Sequence, residues 1–256
     1  MGKIVVYTAI FDNYDILKDP KIFNKEIDYI CFSNNKRLKS KIWQIIYVPN
    51  DNNLNAQFLN RKLKILGPMN ELKDYELSLY IDGNIYLTGN TIEFIKKYLS
   101  NNLTNFRHPR RSCLYDEIGI CLSINKAPQK VLHMQTKNYS GNGMPKNFGL
   151  SDNKIILRKH CQQTFDIMTE WWNELLNFPG RDQVSLPYIL WKRNQYYNYF
   201  DEDIINNKYF SINPHRHENL RRFWRLFKTL KKYESFKSSI DKIEVILKYL
   251  FVHKNY

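Results

Sequence analysis

Three consecutive residues, Asp82-Gly83-Asn84, combine oxygen-bearing side chains with a glycine turn. They follow directly after the apolar run Leu77–Ile81, which is typical of a buried strand. Carboxylate and amide oxygens are the hard ligands that Mg²⁺ and Mn²⁺ prefer. Open α/β sheets bind ligands at the carboxyl ends of their strands. The segment therefore predicts a site for a metal-bound diphosphate, with Asp82 as its first ligand.

The same segment has a second interpretation as a plain turn. Asp-Gly pairs are common in type I′ hairpins. Asn84 is also neutral, and it is a weaker metal ligand than the second carboxylate that an Asp-x-Asp motif would supply. The residues alone leave the metal site and the turn both open.

Two further groups of charged residues could act on a substrate. Arg107-His108-Pro109-Arg110-Arg111 is a dense cationic turn that precedes the acids Asp116 and Glu117. These groups could bind an anionic substrate or could pair with one another on the surface. Asp182 follows Pro179-Gly180 at the predicted start of a helix, where an N-capping side chain is expected. Capping and catalysis are compatible at that position.

Strand-like and helix-like segments alternate along the chain. The predicted strands are Lys3–Ala9, Ile27–Ser33, Ile42–Val48, Glu76–Ile81, a segment near Asn105, Lys154–Arg158 and Tyr209–Ile212. The predicted helices are Leu54–Leu66, Thr91–Leu99, Cys113–Ser123, Pro128–Gln135, Cys161–Leu176 and Gln183–Lys192. Between them, Tyr139–Gly149 has the composition of a loop, either a lid or a plain surface loop. The alternation predicts an α/β fold, an open and mostly parallel sheet with helices on both faces.

Length and composition indicate one globular domain with a basic extension. The chain has 256 residues, of which 43% are apolar, enough for one large core. We predict a catalytic domain over residues 1–217 and a helical tail over residues 218–256. The start lacks the apolar core of a signal peptide, and no run nears the roughly 18 apolar residues of a spanning helix. Four cysteines without a Cys-x-x-Cys pair indicate reduced thiols, so we expect a cytoplasmic protein.

Half of the formal charge of +14 lies in the last 41 residues. From Arg216 to Tyr256 there are eleven Lys or Arg and four Asp or Glu, a net charge of +7. A helical wheel places aromatic and basic residues on opposite faces, which predicts contact with an anionic membrane. The predicted membrane residues are Arg221, Arg222, Phe223, Arg225, Phe227 and Lys228. A helix packed on the domain with a solvated basic face is the alternative.

Several short motifs, taken in order, resemble one known family. They are Tyr7-Thr8-Ala9-Ile10-Phe11-Asp12-Asn13-Tyr14-Asp15, Cys31-Phe32-Ser33, Arg61-Lys62, Tyr80-Ile81-Asp82-Gly83-Asn84, Phe106-Arg107-His108-Pro109-Arg110, Arg181-Asp182-Gln183 and Trp191-Lys192. The set resembles the mucilage-related family of bacteria and plants, once a domain of unknown function, which is similar to GT-A glycosyltransferases of family 8. The resemblance covers roughly residues 3 to 217, and it implies a GT-A-like, Rossmann-like version of the predicted sheet.

The resemblance also implies roles for individual residues. The nucleotide-sugar donor would lie against Tyr7, Thr8, Ala9, Asp12, Ser33, Arg61, Asp82, Gly83 and Asn84. The sugar and acceptor side would include His108, Arg110, Tyr115 and Glu117. Asp182 and Gln183 would be catalytic, with Asp182 either a ligand of the donor sugar or a base. A divalent metal, Mn²⁺ or Mg²⁺, would be held by Asp82, Asn84 and the late histidines His215 and His217, which could equally form a surface turn.

The implied activity is transfer of a sugar from a nucleoside-diphosphate donor, such as a UDP-sugar, to a saccharide or lipid-linked glycan. We expect a role in surface polysaccharide synthesis, at the inner face of the membrane. One alternative is a nucleotide-binding or sugar-binding module without catalysis. Another is a nucleic-acid-binding protein, as a pI near 9.5 suggests. The chain contains no known nucleic-acid-binding motif and much of its basic excess lies outside the predicted sheet, so no nucleic-acid partner is expected.

Overall fold

The computed structural model describes residues 2–50 and 54–216. The chain divides into two compact units, Met1–Asn213 and Pro214–Tyr256. The first unit contains all of the strands and helices described below. The predicted membrane residues, from Arg221 to Lys228, and His217 lie outside the described residues, so these remain predictions from the sequence. Within the described ranges, no helix is long and apolar enough to cross a bilayer.

A seven-stranded sheet forms the centre of the first unit. Its strands, in chain order, are β1 (Ile4–Ile10), β2 (Ile27–Ser33), β3 (Gln44–Tyr47), β4 (Leu77–Ile81), β6 (Leu103–Arg107), β7 (Ser151–Lys159) and β8 (Asn198–Tyr199), while β5 (Ile85–Leu87) and β9 (Phe210–Ile212) form a separate pair. The order across the sheet is β3-β2-β1-β4-β7-β6-β8. Only β7 runs antiparallel to its neighbours. The sheet is therefore mostly parallel, as predicted.

In the described part of the chain, six helices cover the sheet. They are α1 (Ala56–Leu66), α2 (Thr91–Lys96), α3 (Leu114–Ser123), α4 (Gln129–Gly141), α5 (Gln162–Asn177) and α6 (Asp182–Lys192). The side chains of β1 show how both faces are used. Val5, Tyr7 and Ala9 join the core that includes α1, α5 and α6, whereas Ile4 and Val6 join the core on the opposite face with α2. Helices on both faces of a mostly parallel sheet confirm the predicted fold class.

Several local predictions were wrong. Strands β5 and β8 were not predicted, because segments of three and two residues carry no clear period. Helix α4 continues to Gly141, so the predicted loop begins only after it, and the Tyr139 side chain is buried. The segment Asp82-Gly83-Asn84 does form a turn, in which the Ile85 backbone N–H donates to the Asp82 carbonyl at 2.9 Å. It is not a hairpin turn, because β4 and β5 belong to different sheets.

Candidate active site

The candidate site lies at the carboxyl end of β4, on the face of the sheet that α1 and α6 cover. Side chains alternate along a strand, so Asp82 projects to the same face as Tyr80, two residues before it. Tyr80 packs in the core that contains α1 and α6. The backbone N–H of Asp82 donates to the carbonyl of Lys154 at 2.7 Å, which fixes the end of the strand. The predicted ligand Asp82 therefore faces two helices rather than open solvent.

A buried lysine joins the two aspartates that the sequence pointed to. The Lys64 Nζ lies 3.0 Å from Asp182 Oδ2 and 3.5 Å from Asp82 Oδ1. Arg61, one turn earlier on α1, places its Nε 3.9 Å from Asp182 Oδ1. Lys64 is 5% exposed, whereas the Asp82 side chain keeps 25% of its surface open. The structure thus brings Arg61, Asp82 and Asp182 together around a cation that sequence reasoning missed.

Burial and charge act in opposite directions on these groups. Burial favours a raised pKa for Asp182, but Lys64, Arg61 and Arg181 together hold that pKa well below its usual range. Burial raises the pKa of Asp82, and Lys64 and the Tyr80 hydroxyl offset this only in part. Burial alone would lower the pKa of Lys64, yet the two carboxylates raise it. The cluster therefore contains a firmly ionised Asp182 and a lysine that stays charged.

Asp82 is oriented by hydrogen bonds from the same face of the sheet. The Tyr80 hydroxyl donates to Asp82 Oδ1 at 2.8 Å. The next residue must be small, because a Cβ on Gly83 would lie 2.8 Å from Ile10 Cγ1 and 3.0 Å from the Asp15 Cβ. The chain leaving β4 therefore passes directly against the end of β1, so the Asp82 turn and the loop after β1 form one wall.

Within the described residues, the side-chain amide of Asn84 makes a hydrogen bond through its nitrogen but not through its oxygen. Its Nδ2 donates to the carbonyl of Asn213 at 2.9 Å. Its Oδ1 is buried and has no hydrogen-bond partner among the described residues. An orphaned amide oxygen two residues from a carboxylate suits a hard divalent cation. Among the described residues, no three His, Cys, Asp or Glu side chains cluster in a way that could hold a metal ion. His215 belongs to the second unit, and its role as a ligand stays a prediction.

The loops after β1 and β2 are tied to each other by asparagines. Asp12 and Asn13 both adopt positive φ, 52° and 53°, a conformation that few residues tolerate. The side chain of Asn34 donates to Asp12 Oδ1 at 2.7 Å and accepts from the Asp12 backbone N–H at 2.9 Å. Ser33, at the end of β2, uses its Oγ to accept from the backbone N–H of Asn35. Asp12 and Ser33 are thus neighbours at the carboxyl ends of β1 and β2.

The side chains of Tyr7, Thr8 and Ala9 do not line this edge, because all three are buried within the sheet. Tyr7 instead supports α1. Its hydroxyl donates to the carbonyl of Lys64 at 2.9 Å and accepts a hydrogen bond from the guanidinium of Arg158. Burial raises the pKa of Tyr7 to about 12. The Tyr7 side chain thus helps to hold the helix that carries Lys64. The predicted place of Tyr7, Thr8 and Ala9 beside the nucleoside stays a prediction.

Arg158 is fully buried and was not expected to belong to the site. Its Nη1 donates to the Lys64 carbonyl at 2.7 Å, near the carboxyl end of α1. A cation there satisfies carbonyls that lack helical partners and opposes the negative end of the helix dipole. Tyr7 and Arg158 therefore fix the last turn of α1 from inside the core, and with it the position of Lys64.

A second charged cluster centres on Glu117, which is 4% exposed. Its Oε2 lies 2.6 Å from an Nη2 of Arg111 and 3.8 Å from His108 Nε2, and its Oε1 lies 3.6 Å from Arg181 Nη2. Burial lowers the pKa of His108. Pairing of the cationic turn with Glu117 was one of the two interpretations left open. Glu117 therefore anchors two arginines, and its predicted place on the sugar and acceptor side stays a prediction.

Two other predicted acceptor residues lie apart from the Lys64 cluster. The Tyr115 hydroxyl donates to the carbonyl of Met144 at 2.9 Å, so it ties α3 to the segment after α4. Arg110 is exposed at the tip of the cationic turn. Within residues 2–50 and 54–216, neither side chain forms a hydrogen bond or ion pair with Asp82 or Asp182.

The start of α6 differs from the capping prediction. Asp182 is the first helical residue and Arg181 is the N-cap, which makes no side-chain capping bond. The Asp182 carboxylate is engaged by Lys64 instead. The neighbouring Gln183 donates from Nε2 to the Ser151 carbonyl at 3.3 Å and accepts from Arg181. The first turn of α6 is still a favourable place for the Asp182 carboxylate, because the positive end of the helix dipole stabilises its negative charge.

Two sequence comparisons show which known proteins this chain is similar to. The sequence profile described as "TOD1/MUCI70, glycosyltransferase-like domain" matches residues 1–215. A curated relative from Arabidopsis thaliana, "Probable hexosyltransferase MUCI70", is 24% identical over 212 residues. The match covers 71% of this chain but 36% of that relative, so the chain spans about a third of the plant protein's length.

Proposed function

Because the chain belongs to the TOD1/MUCI70 glycosyltransferase-like family, we propose that it transfers a hexosyl group from a nucleoside-diphosphate sugar, such as a UDP-sugar, to a saccharide or lipid-linked glycan. The family and the plant relative support glycosyltransferase activity. The nucleotide, the sugar and the acceptor belong to the proposal. The observation that carries it is the buried ammonium of Lys64 between Asp82 and Asp182.

Sugar transfer needs positive charge where the diphosphate departs. Lys64, Arg61 and Arg181 supply three cationic side chains around Asp182, none more than 18% exposed. Cations held in place before the reaction stabilise developing negative charge without reorganising. In this proposal, the arginines bind the phosphates, while Lys64 orients the acid that faces the sugar.

The ionisation of Asp182 favours one of the two roles left open for it. Its pKa is held well below the usual range, so the carboxylate is a poor acceptor of a proton at neutral pH. It is well suited to accept hydrogen bonds from sugar hydroxyls. We therefore assign Asp182 to the binding and orientation of the donor sugar, with Gln183 beside it.

A divalent cation, Mn²⁺ or Mg²⁺, fits the oxygens of Asp82 and Asn84. The fit rests on the Asp82 carboxylate, whose side chain keeps 25% of its surface exposed, and on the orphaned Oδ1 of Asn84. A bound cation would offset negative charge on the leaving diphosphate. The raised pKa of Asp82 follows from its burial, and a cationic ligand beside it would lower that pKa. His215 and His217 remain proposed additional ligands.

The nucleoside end of the donor would lie over the two tied loops, against Asp12 and Ser33. The acceptor would approach from the side of His108 and Arg110, with Glu117 positioning Arg111 and Arg181 between the two regions. Membrane contact through the tail, a cytoplasmic location and a role in surface polysaccharide synthesis extend the same proposal. They depend on residues 218–256 and on the sequence prediction alone.

Binding of a panel of nucleotide sugars, measured by thermal shift and calorimetry with and without Mn²⁺, tests the proposal. We expect at least one donor to bind the wild type and to bind Asp182→Asn at least tenfold more weakly. Asp116→Asn, an exposed acid on α3, is the matched control and should bind normally. No heat with any nucleotide sugar at millimolar concentration would refute the proposal. Binding without turnover would leave the non-catalytic module as the better description.

A further inference from the structure

The described residues form a cavity of about 340 Å³ that is separate from the candidate active site. It opens beside the start of β6. The cavity therefore lies toward the amino ends of the parallel strands, whereas Asp82 lies at the carboxyl end of β4. The amino end of α5, the end of α6 and the segment before β8 complete its wall. This volume lies within the roughly 300 to 1,000 Å³ typical of small-molecule sites. None of its lining residues has a role in the proposed transfer reaction.

The chemistry of the wall is unusual for this protein. Charged residues make up 25% of the chain, so about three would be expected among twelve, yet none of the twelve lining residues in the described structure is charged. Six of the twelve carry carboxamides, and two are tyrosines. Carboxamides offer both donors and acceptors, and they recognise hydroxyl groups without attracting ions. The wall therefore suits a neutral, hydroxyl-rich ligand and disfavours a nucleotide.

Several of these polar groups are unused in the structure. The side-chain amides of Asn101 and Gln195 make no hydrogen bond to the described residues. Asn105 lies on the wall, 1% exposed, and its Oδ1 has no partner within residues 2–50 and 54–216. This oxygen is closed to solvent, so the carboxamides of Asn101 and Gln195 are the groups that remain open to a ligand. The cavity thus offers both donors and acceptors to a bound molecule.

An exposed aromatic ring stands at the same cavity. Tyr196 is 80% exposed, although its ring stacks on Phe148 at a centroid distance of 5.7 Å. Leu103, Ile167 and Leu190 give the wall an apolar part. Aromatic and aliphatic surface packs against the C–H face of a sugar ring, while carboxamides bind its hydroxyls. Both kinds of surface are present side by side.

We propose that this cavity is a second carbohydrate-binding site, which takes an uncharged oligosaccharide through Tyr196 and its surrounding carboxamides. It would hold a glycan chain at a distance from the site of transfer. The proposal goes beyond the transfer reaction and does not depend on it, because binding at the cavity requires neither donor nor turnover.

The test uses the full chain and titrates three neutral probes, cellohexaose, xylohexaose and maltohexaose, followed by calorimetry and saturation-transfer NMR. At least one should bind, with an affinity that changes less than about twofold between 0.1 and 0.5 M NaCl, because no charge lines the cavity. Tyr196→Ala should weaken binding about three- to tenfold, and Gln195→Ala should also weaken it. Tyr47→Ala, which removes another exposed tyrosine at the far sheet edge, is the matched control and should bind normally.

Three results would overturn the proposal. The first is that none of the three hexasaccharides binds at 10 mM, a concentration about a hundred times the Kd of a 0.1 mM site. The second is equal binding by the wild type and both cavity variants. The third is loss of binding in Asp182→Asn. The last result would place the glycan at the active site instead. Donor binding measured on the same variants separates the two proposals, since Tyr196→Ala should leave it unchanged.

Discussion

Replacing Lys64 by methionine removes the cation that joins the two aspartates and keeps most of the side-chain volume. The Asp182 carboxylate then loses a partner at 3.0 Å, and Asp82 loses one at 3.5 Å. Removing one member of a buried ion pair costs about 3–5 kcal/mol, because the remaining charge stays buried without its partner. Arg61 still lies 3.9 Å from Asp182, so we expect the lower end of that range, about 3 kcal/mol.

Thermal unfolding at pH 7 measures this loss. For a chain of this size about 3 kcal/mol corresponds to a fall in Tm of roughly 6–12 °C. The pH dependence has a defined sign. A depressed carboxylate pKa stabilises the fold above the ordinary value of 3.8, and the stabilisation disappears as the pH falls through the folded pKa. The difference between wild type and Lys64→Met should therefore be largest near neutrality and should shrink below pH 4.

Two further variants test whether the loss of stability comes from the buried charge of Lys64. Lys62→Met changes an exposed lysine on the same helix and should leave Tm within about 2 °C, as surface substitutions do. Lys64→Met combined with Asp182→Asn should recover part of the lost stability, because the carboxylate left unpaired is no longer charged. If Lys64→Met is no less stable than Lys62→Met, or if the double variant gains nothing, the buried charge cluster does not have the energy assigned to it.

Three other predictions follow from single contacts. Gly83→Ala should lower the free energy of unfolding in urea by about 1–3 kcal/mol, because the new Cβ would lie 2.8 Å from Ile10 Cγ1. Gly119→Ala has nothing within 4 Å of its Cβ and should raise the free energy of unfolding by about 0.5–1 kcal/mol. Burial and a nearby guanidinium lower the pKa of His160 from 6.5 to about 4, so the stability of the wild type relative to His160→Gln should fall as the pH drops from 6.5 to 4. Glu117→Gln should cost about 3 kcal/mol because two arginines lose their shared carboxylate, while Asp116→Gln should cost less than about 0.5 kcal/mol.

The sheet was predictable where a strand is buried on both faces. Ile4–Ile10 and Leu77–Ile81 are buried throughout, and their unbroken apolar runs predict this. The position of Asp82 followed from strand direction, because parallel strands share a carboxyl edge. Strand β8 contains two residues and depends on pairing with β6, so local sequence could not reveal it.

The charges of the site were harder to predict than its position. Lys64 looks like any lysine on a helix that also carries Lys62, and only the fold shows which of the two is buried. The available signal was periodicity, since Lys64 follows Leu63 on the buried face of α1. Arg158 was hidden in the same way, because the predicted strand Lys154–Arg158 does not by itself show that its last side chain is buried. Asp182 was predicted as a cap because capping depends on local sequence, whereas its partner on α1 is more than a hundred residues away.

The most direct test of the central claim is the release of sugar from its nucleotide by wild type and by Asp182→Asn, each shown to be folded. With a donor that binds, we predict turnover by the wild type and a loss of at least a hundredfold, about 2.7 kcal/mol, in Asp182→Asn. Asp116→Asn should retain wild-type turnover. Turnover by Asp182→Asn within twofold of the wild type would contradict the assignment of the Lys64 cluster as the donor site.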